Sequence, residues 1–167
     1  MTMTPGLRRL LLTAHIVATV GWLGAVGVFL ALAVIGLTSS DAQTVRGAYL
    51  VMEPAAWYVL VPFAFASLVT GVAQSLASVW GLFKHYWVLF KLLITAVATL
   101  VLLTYMQTFA SLSDAASQPQ AGLDVMRNPS PALHATLAFV ALLTAAVLSV
   151  YKPRGLTPFG LSKQRRS

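Results

Sequence analysis

Residues 10–37 read LLLTAHIVATVGWLGAVGVFLALAVIGL, a run of 28 residues without a charged side chain. An α-helix needs about 20 apolar residues to cross the hydrocarbon layer of a bilayer, which is about 30 Å thick. The apolar core of a secretory signal peptide is only about 7–15 residues long. The run is therefore predicted to be an uncleaved membrane span. It must be helical, because lipid offers the backbone no hydrogen-bond partners.

Three more apolar stretches follow this span, at residues 55–77, 86–109 and 133–150. The whole chain of 167 residues is 58% hydrophobic and only 9% charged, whereas a soluble domain has about 25% charged residues. Such a chain has too few charges to cover a surface that faces water. It is predicted to be all-α, with a single integral membrane domain over residues 1–167 built as a four-helix transmembrane bundle of up-down topology.

The connections between the spans are predicted to differ in character. Residues 111–131 are rich in Ser, Gln and Pro, which is typical of a polar loop. For residues 43–52, just ahead of the second span, two structures remain open: a helix on the membrane surface and an extension of the second helix. The chain contains no cysteine, which excludes disulfides, iron–sulfur clusters and thiolate metal sites.

Basic residues are distributed unevenly between the two sides of the membrane. If the N-terminus is cytoplasmic, eight cations fall on the inner side and two on the outer side, and Lys91 lies within a span. Cytoplasmic connections carry an excess of Lys and Arg, so the chain is predicted to lie N-in/C-in in a bacterial plasma membrane, with residues 151–167 as a basic cytoplasmic tail. The inner set is Arg8, Arg9, Lys84, Lys152, Arg154, Lys163, Arg165 and Arg166, and the outer set is Arg46 and Arg127.

The net charge of +7 has the same explanation. A soluble protein with this balance would be a candidate for nucleic-acid binding. Here the cations lie mainly outside the apolar runs, where they fit contact with the bilayer and with anionic lipid at the basic ends. The predicted partners are therefore lipids, with no nucleic acid, and a protein partner within the membrane stays open.

Three polar side chains fall inside the predicted spans at similar depth. His15 and Lys91 each lie about 8 Å beyond the inner end of their spans, and Gln74 lies about 5 Å from the inner end of the second, at a rise of about 1.5 Å per residue. Polar groups are costly in hydrocarbon and need either partners or a task. The three are predicted to form one layer near the cytoplasmic face.

Two interpretations of this layer remain open. In the structural one, Lys91 extends its ammonium to water, and His15 and Gln74 hydrogen-bond neighbouring helices. In the functional one, the layer is a buried site in which His15 is a ligand or proton carrier and Lys91 binds an anion. On the outer side, Glu53, Arg46 and His134 could be neighbours. A pair of Glu53 and His134 there could bind a metal or gate a proton, although such pairs more often form an interfacial salt bridge or a solvated rim. His134 is also too far from His15 in depth, by about 17 Å, for the two to bind one haem.

Two short motifs around these residues resemble a known family. His15 with Trp22 and Gly24 in the first span, and Trp87 with Lys91 in the third, resemble the motifs of HemJ-type protoporphyrinogen oxidases, which are small four-helix bacterial membrane proteins. The layout also resembles CopD-type copper-resistance membrane proteins and, most closely in overall style, small four-span bacterial membrane proteins of uncharacterised function. The HemJ resemblance implies that His15 and Lys91 take part in haem binding. The predicted site for b-type haem has His15 on the iron and includes Lys91, Trp22 and Trp87 from these motifs, together with Gln74 from the polar layer.

One departure from the HemJ pattern limits what the resemblance implies. Family members carry an arginine late in the first span, whereas residues 27–37 are entirely apolar here. An acidic porphyrin would need such a cation to pair with its carboxylates. Whether the chain is an enzyme therefore stays open. The leading prediction is a membrane protein that binds haem through His15 in a redox role. The alternatives are a non-enzymatic accessory or scaffold subunit, and a small permease that uses the Lys91 layer.

Overall fold

The computed structural model describes residues 4–78, 81–153 and 155–164, and these form seven α-helices and one π-helical segment. Four helices among these residues are long and apolar enough to cross a membrane, so the predicted all-α bundle of four long apolar helices is confirmed. The segments are α1 (Pro5–Thr38), α2 (Ala42–Ala55), the π-helical segment (Ala56–Leu60), α3 (Val61–Ala77), α4 (Tyr86–Ser117), α5 (Leu123–Met126), α6 (Ser130–Tyr151) and α7 (Pro158–Gln164).

The second span begins much earlier than predicted. Helix α2, the π-helical segment and α3 form one continuous apolar helix over Ala42–Ala77, so residues 43–52 extend the second helix. Asp41 caps its start by accepting hydrogen bonds from the Thr44 backbone and hydroxyl, which also lower the pKa of this exposed carboxyl. The sequence predicted that the second span begins just after Pro54, because proline lacks an N–H and disrupts an ordinary helix. The helix nevertheless continues through Pro54, and the wider π-helical turn comes after Ala55, between Pro54 and Pro62.

The loop predicted at residues 111–131 is shorter in the structure, because helices occupy part of this range. Helix α4 continues to Ser117, and the short helix α5 occupies four further residues. Arg46 of α2 explains why α4 can end where it does. Its guanidinium donates hydrogen bonds to four backbone carbonyls at and just beyond the end of α4, where carbonyls have no partner inside the helix. The accepting residues are Ala116 (3.0 Å), Gln118 (2.5 Å), Pro119 (3.2 Å) and Ala121 (2.6 Å).

The spans pack in a closed ring, in which α1 contacts α3 and α6, and α4 contacts the same two helices from the other side. Helix α2 also packs on both α1 and α4. A close approach at Gly36 brings α1 against the fully buried ring of Tyr49, because a Cβ on Gly36 would lie 2.6 Å from Tyr49 Cζ. Such small residues let helices approach closely in lipid.

The C-terminal segment is not a free tail along its described part. The backbone N–H of Thr157 donates to the carbonyl of Lys84, and the Thr157 hydroxyl donates to the carbonyl of Phe83 at 2.5 Å. Tyr86 donates its backbone N–H to the carbonyl of Gly155, which places this segment against the start of α4. The predicted tail therefore folds back onto the connection between the second and third spans, as an up-down order of spans allows.

Candidate functional site

His15 is held in the contact between α1 and α3. Its Nδ1 lies 3.1 Å from the hydroxyl oxygen of Thr70. The imidazole also lies over Gly71, where a Cβ would come within 3.0 Å of the His15 Cε1 atom. A glycine at this position therefore makes room for the ring. The half-buried His15 has a partner on the second span, as the predicted polar layer requires.

The hydrogen bonds of Thr70 define the tautomer of His15. Thr70 has a single hydroxyl proton, and it donates this proton to the carbonyl of Ala66 on its own helix at 2.5 Å. The hydroxyl must then accept the hydrogen bond from His15, so Nδ1 carries a proton. In the neutral ring Nε2 keeps the lone pair. His15 can consequently act as a base or as a metal ligand through Nε2.

Lys91 lies near His15 but packs chiefly on its own helix. Its ammonium nitrogen is 5.9 Å from the ring centroid of the buried Trp87, which is within the range of a cation–π interaction. It is also close enough to His15 and to Lys152 for the charges to interact. Lys91 thus lies at the same end of the bundle as His15, and no hydrogen bond joins these two members of the predicted layer in the described part of the chain.

Gln74 is the third residue predicted for this layer, and it and its neighbours are more loosely connected to His15. Gln74 lies one helical turn beyond Thr70, on the same side of α3, and is half-buried without a side-chain hydrogen bond to any described residue. Thr95 and Thr99 donate their hydroxyls to carbonyls of α4 itself, so they serve their own helix. Trp22 is buried two turns from His15, where it lines a different feature.

That feature is an apolar cavity of about 500 Å³ inside the bundle. Its inner wall is formed by buried residues of α1, α2 and the π-helical segment, among them Trp22, Phe29 and Met52. Along α4 the lining extends from Leu93 to Phe109, which corresponds to about 24 Å at the helical rise per residue. The lining is therefore elongated along the bundle. Its residues carried no sequence signal beyond hydrophobicity, so the sequence did not predict it.

The cavity has a side that faces away from the core. Leu93, Val97 and Val101 of α4 line the cavity and are 59%, 49% and 42% exposed, and Leu137 of α6 is 59% exposed. In a bilayer these apolar, exposed side chains would lie against lipid. The cavity would therefore open toward lipid between α4 and α6 in a bilayer. The fourth span also buries the smallest share of its residues of the four.

Polar atoms gather near the end of the cavity that His134 lines. The Nδ1 atom of His134 lies 2.9 Å from the carbonyl oxygen of Ser130, one turn earlier in α6. The Tyr105 hydroxyl donates to the Ser130 hydroxyl at 2.9 Å, and the Tyr105 ring packs on the imidazole with 4.3 Å between centroids. Both His134 and Tyr105 line the cavity. The sequence treated His134 as a weak candidate because it lies near the outer end of its span, yet it is the histidine of the cavity.

The arrangement of the described side chains supports a metal site less well than it supports the apolar cavity. The described residues contain no group of three or more His, Asp or Glu side chains that could hold a metal ion. The hydrogen bonds of His134 are to Ser130, and Glu53 is not among its partners. The structure describes both residues, and the predicted contact between Glu53 and His134 is not formed.

The residues around His15 fit part of what a haem would need. A ligand histidine usually has its second ring nitrogen bound by an outer partner, which Thr70 provides here. The described cavity is not placed for a macrocycle on this ligand, because Trp22 lines it and His15 does not. The ligand chemistry at His15 therefore fits haem, whereas the position of the cavity does not.

The fold and the cavity define a class: a multipass membrane protein with an apolar cavity inside a bundle of four long helices. Comparison with protein-family models, with curated proteins and with solved structures gives no match in any of the three. The resemblance to HemJ-type and CopD-type proteins thus stays a prediction, and function has to be argued from the chain's own residues.

Proposed function

We propose that this chain binds a lipid-soluble small molecule within its bundle and takes it up laterally from the membrane. The observation that carries the proposal is the apolar cavity of about 500 Å³ lined by exposed side chains of α4 and α6. Sites for small molecules typically enclose about 300–1,000 Å³, are mostly apolar and hold few polar groups. This cavity has that size and composition.

The source of affinity differs from that in a soluble protein. A lipid-soluble ligand is already surrounded by hydrocarbon, so it gains little from leaving its solvent, as helices gain little from hydrophobic attraction in lipid. Binding must then come from close packing against the walls and from hydrogen bonds at polar positions. The rings of Trp22, Phe29 and Phe109 offer flat surfaces for such packing.

Quenching of Trp22 fluorescence tests the proposal. The probe is a phenol that carries a bromohexyl chain in the para position, added to protein in lipid nanodiscs, with Trp57, Trp80 and Trp87 replaced by Phe. Bromine quenches tryptophan on contact, so a molecule in the cavity should quench Trp22 with a saturable dependence on concentration. Ala138→Phe, which fills the cavity, is expected to weaken binding at least about tenfold, a loss of about 1.4 kcal/mol.

Ala146→Phe is the matched control, because Ala146 lies on the same helix, is exposed and does not line the cavity. It should leave the quenching curve unchanged. If quenching rises linearly and equally in all three proteins, the probe merely dissolves in the lipid and the proposed binding function is wrong.

The second candidate function is the binding of b-type haem in a redox role. It is supported by the Thr70 hydrogen bond, which leaves Nε2 of His15 available as an axial ligand. Lys91, whose charge acts on His15, would be the cation available to hold an acidic group of the cofactor. Bound haem would supply one-electron chemistry. Protein purified from cells supplied with haem should show a Soret band that His15→Ala removes, and a colourless preparation would contradict this candidate.

The proposal includes the orientation of the chain in a bacterial plasma membrane, with both termini in the cytoplasm. The support is the excess of cations in the predicted inner segments, where they also meet anionic lipid. The absence of native cysteine makes the test direct. A membrane-impermeant maleimide should label Gln120→Cys on intact spheroplasts, and should label Ser162→Cys only after permeabilisation. The reverse pattern would overturn the orientation.

Two further functions remain as outcomes of these measurements. An accessory or scaffold subunit would bind neither probe nor haem, and it would use its lipid-facing helices to hold a protein partner. A small permease would move a solute past the Lys91 layer in proteoliposomes. No contact or cavity in the described residues favours either function over the binding of a lipid-soluble molecule.

A further inference from the structure

The polar end of the cavity has a definite hydrogen-bonding character. Nδ1 of His134 lies 2.9 Å from the carbonyl oxygen of Ser130 and 3.3 Å from the hydroxyl oxygen of the same residue. The carbonyl is the closer of the two and can only accept, and it would repel a lone pair at that distance, so we place the proton on Nδ1. In the neutral imidazole the lone pair is then on Nε2, at the far edge of the ring from that carbonyl. Because His134 lines the cavity, this lone pair is the acceptor that its side chain can offer there.

Tyr105 adds no donor at this end. Its only hydroxyl proton is used in the bond of 2.9 Å to the Ser130 hydroxyl. What remains on the Tyr105 oxygen is a lone pair, so both side chains that form this end present acceptors. A ligand that satisfies them has to bring its own O–H or N–H. A ketone, quinone or ester oxygen would meet lone pairs and lose the hydrogen bonds it could form at the membrane surface.

The rest of the cavity restricts the ligand further. Its lining contains the aromatic side chains Trp22, Phe29, Tyr105 and Phe109, which favour a flat apolar ring. The lining also extends for about 24 Å along α4, which leaves length for an attached hydrocarbon chain. An alcohol without a ring would use the length of the cavity but not its aromatic walls.

We propose that the cavity selects a lipid-soluble phenol or hydroquinone that carries a hydrocarbon chain, and that Nε2 of His134 accepts the hydrogen bond from its hydroxyl. This inference rests on the proposed binding function and names the ligand class and the residue that recognises it. His134 acts here as a binding residue, with Ser130 holding its tautomer and Tyr105 holding its ring.

The decisive comparison uses two probes that differ by one donor. The bromohexyl phenol has a hydroxyl, and its methyl ether has the same ring and chain but no O–H. Both are titrated against the protein that keeps Trp22 as its tryptophan, in nanodiscs. The phenol should bind about tenfold more tightly, as expected for a hydrogen bond of about 1.4 kcal/mol in an apolar site.

Two variants assign the preference to His134. His134→Phe keeps a flat ring beside Tyr105 but has no acceptor, so phenol affinity should fall to that of the ether while ether affinity is unchanged. Tyr105→Phe keeps Nε2 of His134, so most of the preference for the phenol should remain. Circular dichroism of each variant confirms that it is folded.

The outcomes separate this inference from the proposed function. Saturable binding of both probes with equal affinity would overturn the role of the hydroxyl while leaving a binding cavity. A preference that survives His134→Phe would overturn the role of His134. If neither probe binds saturably, the proposed function itself fails. The probe pair on the protein with unaltered His134 decides the question even if His134→Phe does not fold.

Discussion

Arg46→Ala is expected to lower the free energy of unfolding by about 3 kcal/mol. The guanidinium of Arg46 donates to the carbonyls of Ala116, Gln118, Pro119 and Ala121, and so joins the second span to the end of the third. A hydrogen bond to a charged group contributes about 1.5–3 kcal/mol. The sum is reduced here because water can reach the exposed carbonyls. Denaturation of the purified protein by sodium dodecyl sulfate, followed by circular dichroism, measures the change.

Two other variants make this expectation specific. Arg46→Lys keeps the charge but has a single ammonium in place of the planar fork, so it should recover less than half of the loss. Arg127→Ala is the matched control at the same end of the bundle, because the exposed Arg127 side chain makes only one hydrogen bond to the described residues, of 3.3 Å to the Ser39 carbonyl. It should change stability by no more than about 0.5 kcal/mol. Equal effects of Arg46→Ala and Arg127→Ala would show that the four carbonyl contacts contribute little.

Gly36→Ala is expected to destabilise the protein by about 2–3 kcal/mol. An added Cβ would lie 2.6 Å from Cζ and 2.8 Å from the hydroxyl of Tyr49, far inside van der Waals contact. Tyr49 is fully buried, so its ring has little space to move aside. Overpacking a well-packed core typically costs about 1–3 kcal/mol. The same detergent denaturation measures this loss.

Gly24→Ala is the control on the same helix, since no atom lies within 4 Å of its added Cβ. It should be neutral or raise stability by up to about 1 kcal/mol, because alanine favours helix over glycine. The loss at position 36 should also shrink in a Tyr49→Leu background, where the colliding ring atoms are gone. An undiminished loss in that background would mean that another contact is responsible.

The cavity and the His15 layer are separate features on the same first span. Trp22 lines the cavity, whereas His15 lies two turns earlier against Thr70 and Gly71. A ligand in the cavity and a proton or cofactor at His15 would thus occupy different parts of the bundle. The separation means that His134→Phe tests the cavity and His15→Ala tests the His15 layer. A loss of phenol binding in the first variant and a loss of the Soret band in the second are therefore independent results.

Some features were predictable from residues 10–37 and the three later apolar runs alone. A bilayer forces each long apolar run into a helix, because unbonded backbone groups find no partner in hydrocarbon. Secondary structure and the number of long helices therefore follow from local hydrophobicity. The boundary at Pro54 was misplaced for a local reason too, because proline ordinarily ends a helix and only the structure shows that the helix continues through it.

Tertiary structure decided the rest. The roles of Arg46, His134 and Gly36 depend on which faces of distant helices meet, and in lipid those rotations are determined by packing and hydrogen bonds rather than by hydrophobicity. Nothing in the letters around His134 distinguishes an interfacial histidine from one that lines a cavity with Nδ1 on a carbonyl. Hydropathy is a property of single residues and determines that the chain crosses the membrane. A cavity is a property of several helices together, and it exists only once their relative positions are known.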